Sequence, residues 1–306
     1  MSLKISGQQV GLLQWKTERV AVDARHPLEQ IAELAGTVVF RGYSTLPEPD
    51  TADKNEKRRT APDPTEALKT GLERMCRYID GGPNFLARAA EHEARTIREF
   101  RRRVHHYLPG VSLEPNSLEL LALMQHHGAP TRLLDWTYSP YVAAYFALKY
   151  ASERADADMV IWTVRDDWCR DTSTTACAKL DPKPAALWES IETPADDQRA
   201  GRFLLSAKLP PSVWPLNPFR LNERLTIQQG LFLAPGHVNS TFLQNVGQLP
   251  SSAEAGLTRH IIPRAHSHRV AETLYRMNVT EATLFPGLDG FARSLRLLPE
   301  RPRRGA

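Results

Sequence analysis

The chain has 306 residues, 42% of them hydrophobic and 24% charged, which is the composition of a globular protein with a substantial core. Its net charge of +4 is too small for this length to indicate a nucleic-acid-binding protein by itself. Its three cysteines are widely spaced and form no CxxC pair, which argues against a disulfide framework and a zinc site, so no metal is predicted. No apolar run reaches the roughly 18 residues that a membrane span needs, and the first residues lack the apolar core of a signal peptide. The sequence therefore favours a cytoplasmic protein with no membrane contact.

The amino-terminal part of the chain combines one strand with a block of helices. Residues 1–26 are interpreted as an extension, and residues 27–36 predict a short helix that ends at Gly36. The run "TVVFRGYST" is β-branched and aromatic and predicts a buried strand that carries Arg41 and Gly42. The proline-rich, charged segment 46–63 predicts a flexible loop. Apolar residues then recur at spacings of three and four, which predicts three helices, at residues 64–79, 85–107 and 116–127.

The rest of the chain intersperses strands with helices. "TRLLDWT" predicts a strand, and "SPYVAAYFALKYAS" predicts a helix capped by Ser139, with small side chains that allow close packing on the strands. Residues 165–216 are interpreted as an irregular insertion with helical pieces near 187–191, and residues 297–306 as a basic tail. Further strands are predicted at 158–164, 222–236 and 257–265, and a further helix at 267–277. This order predicts α+β architecture in one mixed domain, residues 27–296.

The densest group of polar residues lies in "QHHGAPTRLLDWTYSPYVAAYFA". Arg132 and Asp135 are three residues apart and would point to opposite faces of a strand, so we expect each to have its own partner. Asp135 and Arg41 are candidate partners across strands, and a purely structural buried ion pair is the alternative. His126 and His127 end a helix about 100° apart, so they cannot share a metal from there, and a histidine at a helix C-terminus has a structural explanation. His127 is also a candidate contact for a ribose or a base.

Several of these motifs resemble the FRG domain family. The tripeptide "FRG" at 40–42 is similar to the motif that names the family, and Arg88, Glu93 and Phe100 match further landmarks. The long block around "TRLLDWT", then "ERLTIQQGLF" and "TLFPGLDG", follow in the family's order. The long block is the specific part of the resemblance, which extends from about residue 30 to about residue 295.

A second resemblance is to ADP-ribosyltransferase folds, in which segments similar to "VVFRG", "LLDWTYSPYVAAYFA" and "TIQQGLFLAPG" occur in this order. It implies a single domain with a central, predominantly antiparallel sheet, and NAD as the substrate. An arginine holds the pyrophosphate, an aromatic ring stacks on nicotinamide, and a carboxylate offsets positive charge on the ribose. The resemblance implies catalytic roles for Arg41, Asp135, Gln228 and Gln229, and NAD contacts from Arg41, Gly42, Arg132, Trp136, Thr137 and His127.

The second resemblance departs from the transferase pattern at the catalytic acid. Gln228, Gln229 and Gly230 stand where a transferase has its glutamate, and a neutral amide cannot supply the negative charge. Three alternatives follow: Asp135 supplies the charge, Glu223 supplies it, or the site binds its ligand without catalysis.

The expected function is therefore that of an FRG-domain protein that binds NAD and either transfers ADP-ribose to a protein or nucleic acid or hydrolyses NAD. The family resemblance suggests a setting in prokaryotic toxicity or antiphage defence. A non-catalytic module that recognises a nucleotide, a nucleic acid or a phage protein is the main alternative. A hydrolase that uses Asp135 and His127 on another substrate is a third.

Overall fold

The computed structural model describes residues 15–21, 26–44, 65–110, 113–152, 157–178, 191–206, 209–220, 223–250 and 256–295. Within these residues the chain forms a mixed α/β fold with one seven-stranded sheet and twelve α-helices. The prediction of a mixed fold with a mainly antiparallel sheet is confirmed. None of the described helices is long and apolar enough to cross a membrane.

The sheet has the strand order β1-β7-β4-β2-β3-β6-β5, and the neighbouring strands are antiparallel except for β1 and β7. The strands are β1 (Lys16–Arg19), β2 (Val39–Ser44), β3 (Leu134–Thr137), β4 (Met159–Val164), β5 (Val213–Leu216), β6 (Gly230–Pro235) and β7 (Thr258–Ile262).

The helices pack on both faces of the sheet and at its β5 edge. They are α1 (Glu29–Ala32), α2 (Gly71–Ile79), α3 (Ala89–Tyr107), α4 (Leu118–His126), α5 (Pro140–Ser152), α6 (Asp166–Cys177), α7 (Pro194–Leu204), α8 (Glu223–Ile227), α9 (Phe242–Gly247), α10 (Ser267–Arg276), α11 (Glu281–Leu284) and α12 (Leu288–Ser294). Alternate residues of the central strands enter opposite cores. In β4, Met159 and Ile161 pack with α5, whereas Val160 and Trp162 pack on the other face. Burial on both faces explains why these strands are continuous apolar runs in the sequence.

The two central strands β2 and β3 share only one residue pair. Strand β2 pairs with β4 over six residues, but its register with β3 consists of Phe40 opposite Thr137 alone. On its other side, β3 pairs with β6 over four residues. The sheet therefore has a short junction at its centre, next to the side chain of Arg41.

Helix α5 lies very close to β2. A Cβ atom at Gly42 would lie 1.7 Å from the carbonyl oxygen of Ala143, so only glycine fits at this crossing. On the side of α5 that faces the sheet, three small residues are fully buried: Ala143, Ala144 and Ala147. The prediction that small residues let this helix pack closely on the strands is confirmed. The predicted cap is also confirmed: Ser139 lies at the start of α5, and its hydroxyl accepts the N–H of Val142 at 3.3 Å.

Three expectations about local structure are wrong. Residues 222–236 do not form one strand, because α8 precedes a turn in which Gln229 adopts φ 47°, and β6 starts only at Gly230. The strand predicted for 131–137 starts at Leu134, because the Thr131 hydroxyl accepts the N–H of Leu133 at 3.1 Å and shapes a bend there. The region 165–216, expected to be irregular, contains α6, α7 and β5.

The remaining boundaries fall partly outside the described residues. The extension 1–26 contains β1, which pairs in register with β7 at the edge of the sheet. The predicted flexible loop 46–63, residues 187–190 of the predicted helical pieces and the basic tail 297–306 lie outside the described residues, and Ile191 is described outside any helix.

Candidate functional site

A cavity of about 210 Å³ opens beside the junction of β2 and β3, between α5 and α8. It is lined by side chains from strands that are distant in sequence, and by α2 on one side. The charged lining residues are Arg41, Arg74, Arg224 and Asp135, and we call this cavity with its lining the junction cleft.

Arg41 bridges the junction through its side chain. Its Nε donates to the carbonyl oxygen of Ala67 at 2.7 Å, and its Nη1 donates to the carbonyl oxygen of Asp135 at 2.5 Å. Burial lowers the pKa of the guanidinium from its ordinary value, and the charge of Asp135 opposes that shift. Two of its donors thus hold the fold, and its charge remains beside the cleft.

Asp135 presents an exposed carboxylate at the cleft. Its Oδ2 accepts a hydrogen bond from Nε2 of Gln125 at 2.9 Å. The hydroxyl of Thr131 donates to Oε1 of the same Gln125 at 2.6 Å and so fixes the orientation of the amide. Within the described lining, Asp135 is the one carboxylate, and this chain of hydrogen bonds positions it.

Arg74 and Arg224 were missed by sequence reasoning, although both line the cleft. Neither forms an ion pair with a described residue, and Arg224 instead stacks 4.6 Å from the ring centroid of Phe285. With Arg41 they place three positive charges against the single charge of Asp135. The sequence context of Arg74 gave no signal, because α2 meets the cleft only through tertiary packing, whereas Arg224 lies in the family segment "ERLTIQQGLF" without having been assigned to the site.

Helix α5 supplies an aromatic wall to the cleft. Val142, Phe146 and Tyr150 recur at a spacing of four residues on one side of the helix, and all three line the cavity. This spacing was visible in "SPYVAAYFALKY" and could have identified the stripe. An aromatic wall beside three arginines provides a stacking surface next to an anion-binding region.

The "QQG" turn contributes one of its two glutamines to the cleft. Gln228 lines the cavity, and its Nε2 donates to the carbonyl oxygen of Leu284 at 3.1 Å. Gln229 is exposed and is absent from the described lining. Thr137 also lines the cleft, but its hydroxyl donates to the carbonyl oxygen of Gln228 at 2.7 Å and accepts the N–H of Ser139.

The other predicted residues have structural surroundings. Gly42 borders the cleft, but its nearest neighbour is the backbone of α5. Trp136 also borders the cavity, but its side chain is 3% exposed in the apolar core on the far face of the sheet. Glu223 is exposed on α8 and does not line the cleft among the described residues.

Arg132 lies outside the junction cleft in a buried ion pair with Glu93 of α3. Its Nε donates to Oε1 of Glu93 at 2.7 Å, its Nη2 donates to Oε2, and its Nη1 donates to the carbonyl oxygen of Leu204 at 2.7 Å. As expected, Arg132 has a partner of its own, and that partner is Glu93. Asp135 and Arg41 are neighbours as expected, although the contact uses the backbone of Asp135.

The two histidines at the end of α4 contact each other edge to face, with ring centroids 4.9 Å apart, but they do not line the same cavity. His127 is exposed and lines a separate groove along α3, away from Asp135. His126 is nearer the cleft: partial burial lowers its pKa, the charges of His127 and Arg224 lower it further, and Asp135 opposes them. Among the described residues no group of three histidine, cysteine, aspartate or glutamate side chains is arranged to hold a metal ion.

Glu73, next to Arg74 on α2, gives the wall of the cleft a pH-dependent stability. Burial raises its pKa from 4.5 to about 7, although the carboxylate accepts the N–H of Phe242 at 2.8 Å. The folded state thus holds a proton that the unfolded state releases near pH 4.5. The contribution of Glu73 is fully present below that pH and is lost as pH rises through about 7, by roughly 3 kcal/mol.

We therefore expect Glu73→Gln, which keeps an oxygen for the Phe242 N–H, to remove this loss. Denaturant unfolding at pH 5 and pH 8 measures the difference between the wild type and the variant at each pH. That difference should move in favour of the variant by roughly 2–3 kcal/mol between the two values. A difference that does not change with pH would contradict the protonation of Glu73.

The comparison with known proteins identifies one family. The model of the FRG domain matches residues 59–156, from the segment before α2 to the residues just after α5. No curated protein and no solved structure matches the chain. The matched region contains Asp135, Gln125, the aromatic stripe of α5 and the Glu93–Arg132 pair, but neither the "FRG" tripeptide at 40–42 nor α8. Residues 59–156 therefore match the FRG domain, as the resemblance in the sequence predicts.

Proposed function

We propose that the junction cleft binds NAD and that the protein cleaves it, as an ADP-ribosyltransferase or an NAD glycohydrolase. One observation supports this function above the others. Arg41, Arg74 and Arg224 converge on a cleft that also has an aromatic wall and one positioned carboxylate. Arginines bind phosphate groups through parallel N–H donors, and aromatic rings stack on bases.

The size of the cleft limits which part of NAD it encloses. Pockets that enclose a whole drug-sized ligand have volumes of about 300–1,000 Å³, and the junction cleft has about 210 Å³. It would enclose one end of a dinucleotide, with the phosphates at the arginines and the remainder of the molecule outside. Phe146 and Tyr150 would stack on the enclosed base.

In the reaction, the bond between the nicotinamide nitrogen and ribose C1′ breaks, and its electron pair leaves with nicotinamide. An oxygen of water or of an acceptor forms the new bond to C1′ and gives up its proton to the surrounding water. Asp135 would offset the positive charge that builds up on the ribose. A carboxylate held in a fixed position stabilises such a charge effectively, because it does not have to reorient during the reaction. Gln125 and Thr131 would keep that carboxylate in place.

Nicotinamide release by purified protein tests this role of Asp135. We expect Asp135→Asn to reduce the rate at least about a hundredfold, because the variant keeps the shape and loses the charge. Asp171→Asn on α6 is the matched control, since Asp171 is also exposed and does not line the cleft. Equal rates in the wild type and Asp135→Asn would exclude Asp135 from catalysis.

A non-catalytic recognition module is the second candidate function. Gln228 is one of the residues that the transferase resemblance puts at the position of the acid; its amide carries no charge and donates to the carbonyl oxygen of Leu284. If the wild type binds NAD but releases no nicotinamide, the cleft is a nucleotide sensor. A role in prokaryotic toxicity or defence would follow from either function, and growth arrest on expression, relieved by Asp135→Asn, would distinguish the enzyme from the sensor.

A further inference from the structure

A second large cavity follows helix α3 and is separate from the junction cleft. This groove has a volume of about 770 Å³ and is formed by α2, α3 and the residues after α4. The lining residues of α3 run from His92 to Tyr107 at spacings of three and four, so they share one side of the helix. They extend over about 22 Å, or four turns. We call this cavity the α3 groove.

The floor of the α3 groove is apolar, and among the described residues part of it stays exposed. Met75, Ile79, Phe100, Val104 and Tyr107 line it; the side chain of Ile79 is 54% exposed and that of Tyr107 is 79% exposed. The buried residues of α3 end at Ile97, so its last ten residues have no fully buried side chain. On α3 the apolar lining residues run from Phe100 to Tyr107, about two turns. With Met75 and Ile79 of α2 they form an exposed apolar patch of the kind that packs against another helix.

The edges of the groove are basic. Two arginines, Arg95 and Arg103, and one glutamate, Glu99, line the groove. That glutamate, Glu99, interacts with Arg98, Arg102 and Arg103, at 3.6, 3.5 and 2.6 Å. Arg95 lines the groove and forms no ion pair with a described residue. The groove therefore combines an apolar floor with uncompensated positive charge at its edge.

We propose that the α3 groove binds an acidic amphipathic helix of a partner protein. The apolar face of such a helix would cover the apolar patch from Ile79 to Tyr107, and its acidic flank would meet Arg95 and Arg103. Helices bind grooves of this kind through residues that repeat at i, i+3, i+4 and i+7, which is the spacing on α3 itself. Charge complementarity selects an acidic partner over a basic one.

Nucleic acid fits the same surface less well. A phosphate backbone would satisfy the arginines but would leave the apolar floor without a partner, and phosphate contacts need no such floor. A second copy of this chain is also less favourable, because two such grooves would bring like charges together.

The test uses a fluorescent synthetic peptide of about five helical turns, with leucine on one face and glutamate on both flanks. The controls are the same peptide with lysine in place of glutamate, and a scrambled sequence. Fluorescence anisotropy with the full chain should show saturable binding of the acidic peptide alone. Circular dichroism establishes that each variant is folded.

Two pairs of variants locate the binding site. Arg95→Glu should weaken binding at least about tenfold, whereas Arg102→Glu, an equal charge change outside the groove lining, should weaken it less than about threefold. Ile79→Ser should also weaken it at least about tenfold, whereas Tyr78→Ser, 91% exposed and outside the lining, should not.

Four outcomes would overturn the assignment. They are absence of saturable binding by the acidic peptide, equal binding of the lysine peptide, and equal effects of Arg95→Glu and Arg102→Glu. The fourth is competition for the groove by another occupant. That occupant would be a duplex oligonucleotide that displaces the peptide, or a second copy of the chain, seen as a dimer in sedimentation that Ile79→Ser dissociates.

Discussion

Replacing Glu93 by alanine is expected to lower the free energy of unfolding by about 3–5 kcal/mol, because it leaves the buried guanidinium of Arg132 without its counter-charge. Glu93 and Arg132 have side chains that are only 5% and 2% exposed. Arg132 also donates to the carbonyl oxygens of Leu204 and Gly236, so the pair links α3 to the ends of α7 and β6. Urea unfolding followed by tryptophan fluorescence measures the loss.

The matched control for this prediction is Glu91→Ala on the same helix. Glu91 pairs with Arg88 at 3.1 Å, but both side chains are more than half exposed, so its removal should cost less than about 1 kcal/mol. The double variant Glu93→Leu with Arg132→Met, which removes both buried charges, should be more stable than Glu93→Ala. If Glu93→Ala and Glu91→Ala destabilise the protein equally, the buried pair does not stabilise the fold as described.

Replacing Gly42 by alanine is expected to destabilise the protein by roughly 3 kcal/mol or more, or to prevent folding. The added Cβ would lie 1.7 Å from the carbonyl oxygen of Ala143 and 2.8 Å from the nitrogen of Ala147. Both atoms belong to the backbone of α5, which cannot rotate away as a side chain can. The helix would have to move off β2, and the aromatic wall of the junction cleft would move with it.

Gly71→Ala is the matched control, because it makes the same glycine-to-alanine change, with the same added methyl group and the same loss of backbone freedom, at a less crowded site. At Gly71 the nearest atom to an added Cβ is Cα of Pro130, at 3.3 Å, so a small adjustment accommodates it. We expect a change of less than about 1 kcal/mol there. If Gly42→Ala is as stable as Gly71→Ala in thermal and denaturant unfolding, α5 does not lie against β2 as closely as the structure shows.

The sequence indicated those features of the fold that depend on neighbours along the chain. Ser139, for example, lies at the start of α5 and accepts the N–H of Val142 at 3.3 Å, and the small residues of α5 face the sheet. It failed at α8, because the alternation in "ERLTI" suits a strand, whereas the left-handed turn at Gln229 ends a helix there. A strand and a short helix followed by a turn are both compatible with this segment, and the local sequence pattern does not show where the turn begins.

The candidate site divides in the same way. Arg41 and Asp135 were candidate partners because each was predicted to lie in a strand, and they do meet at the junction. Arg132 was assigned to the ligand, but its partner Glu93 lies 39 residues away, and no spacing in the sequence reveals that contact. Arg74 and Arg224 reach the cleft from α2 and α8, so their contribution depends on tertiary packing alone.

Titration of the full chain with NAD tests most directly whether the junction cleft is a nucleotide site. Isothermal titration calorimetry should show binding by the wild type that Arg224→Ala weakens at least about tenfold, through the loss of one phosphate contact. Arg276→Ala, an exposed arginine paired with Glu272 on α10, should bind NAD like the wild type. No binding by the wild type, or equal binding by Arg224→Ala and the wild type, would contradict the assignment of this cleft to NAD.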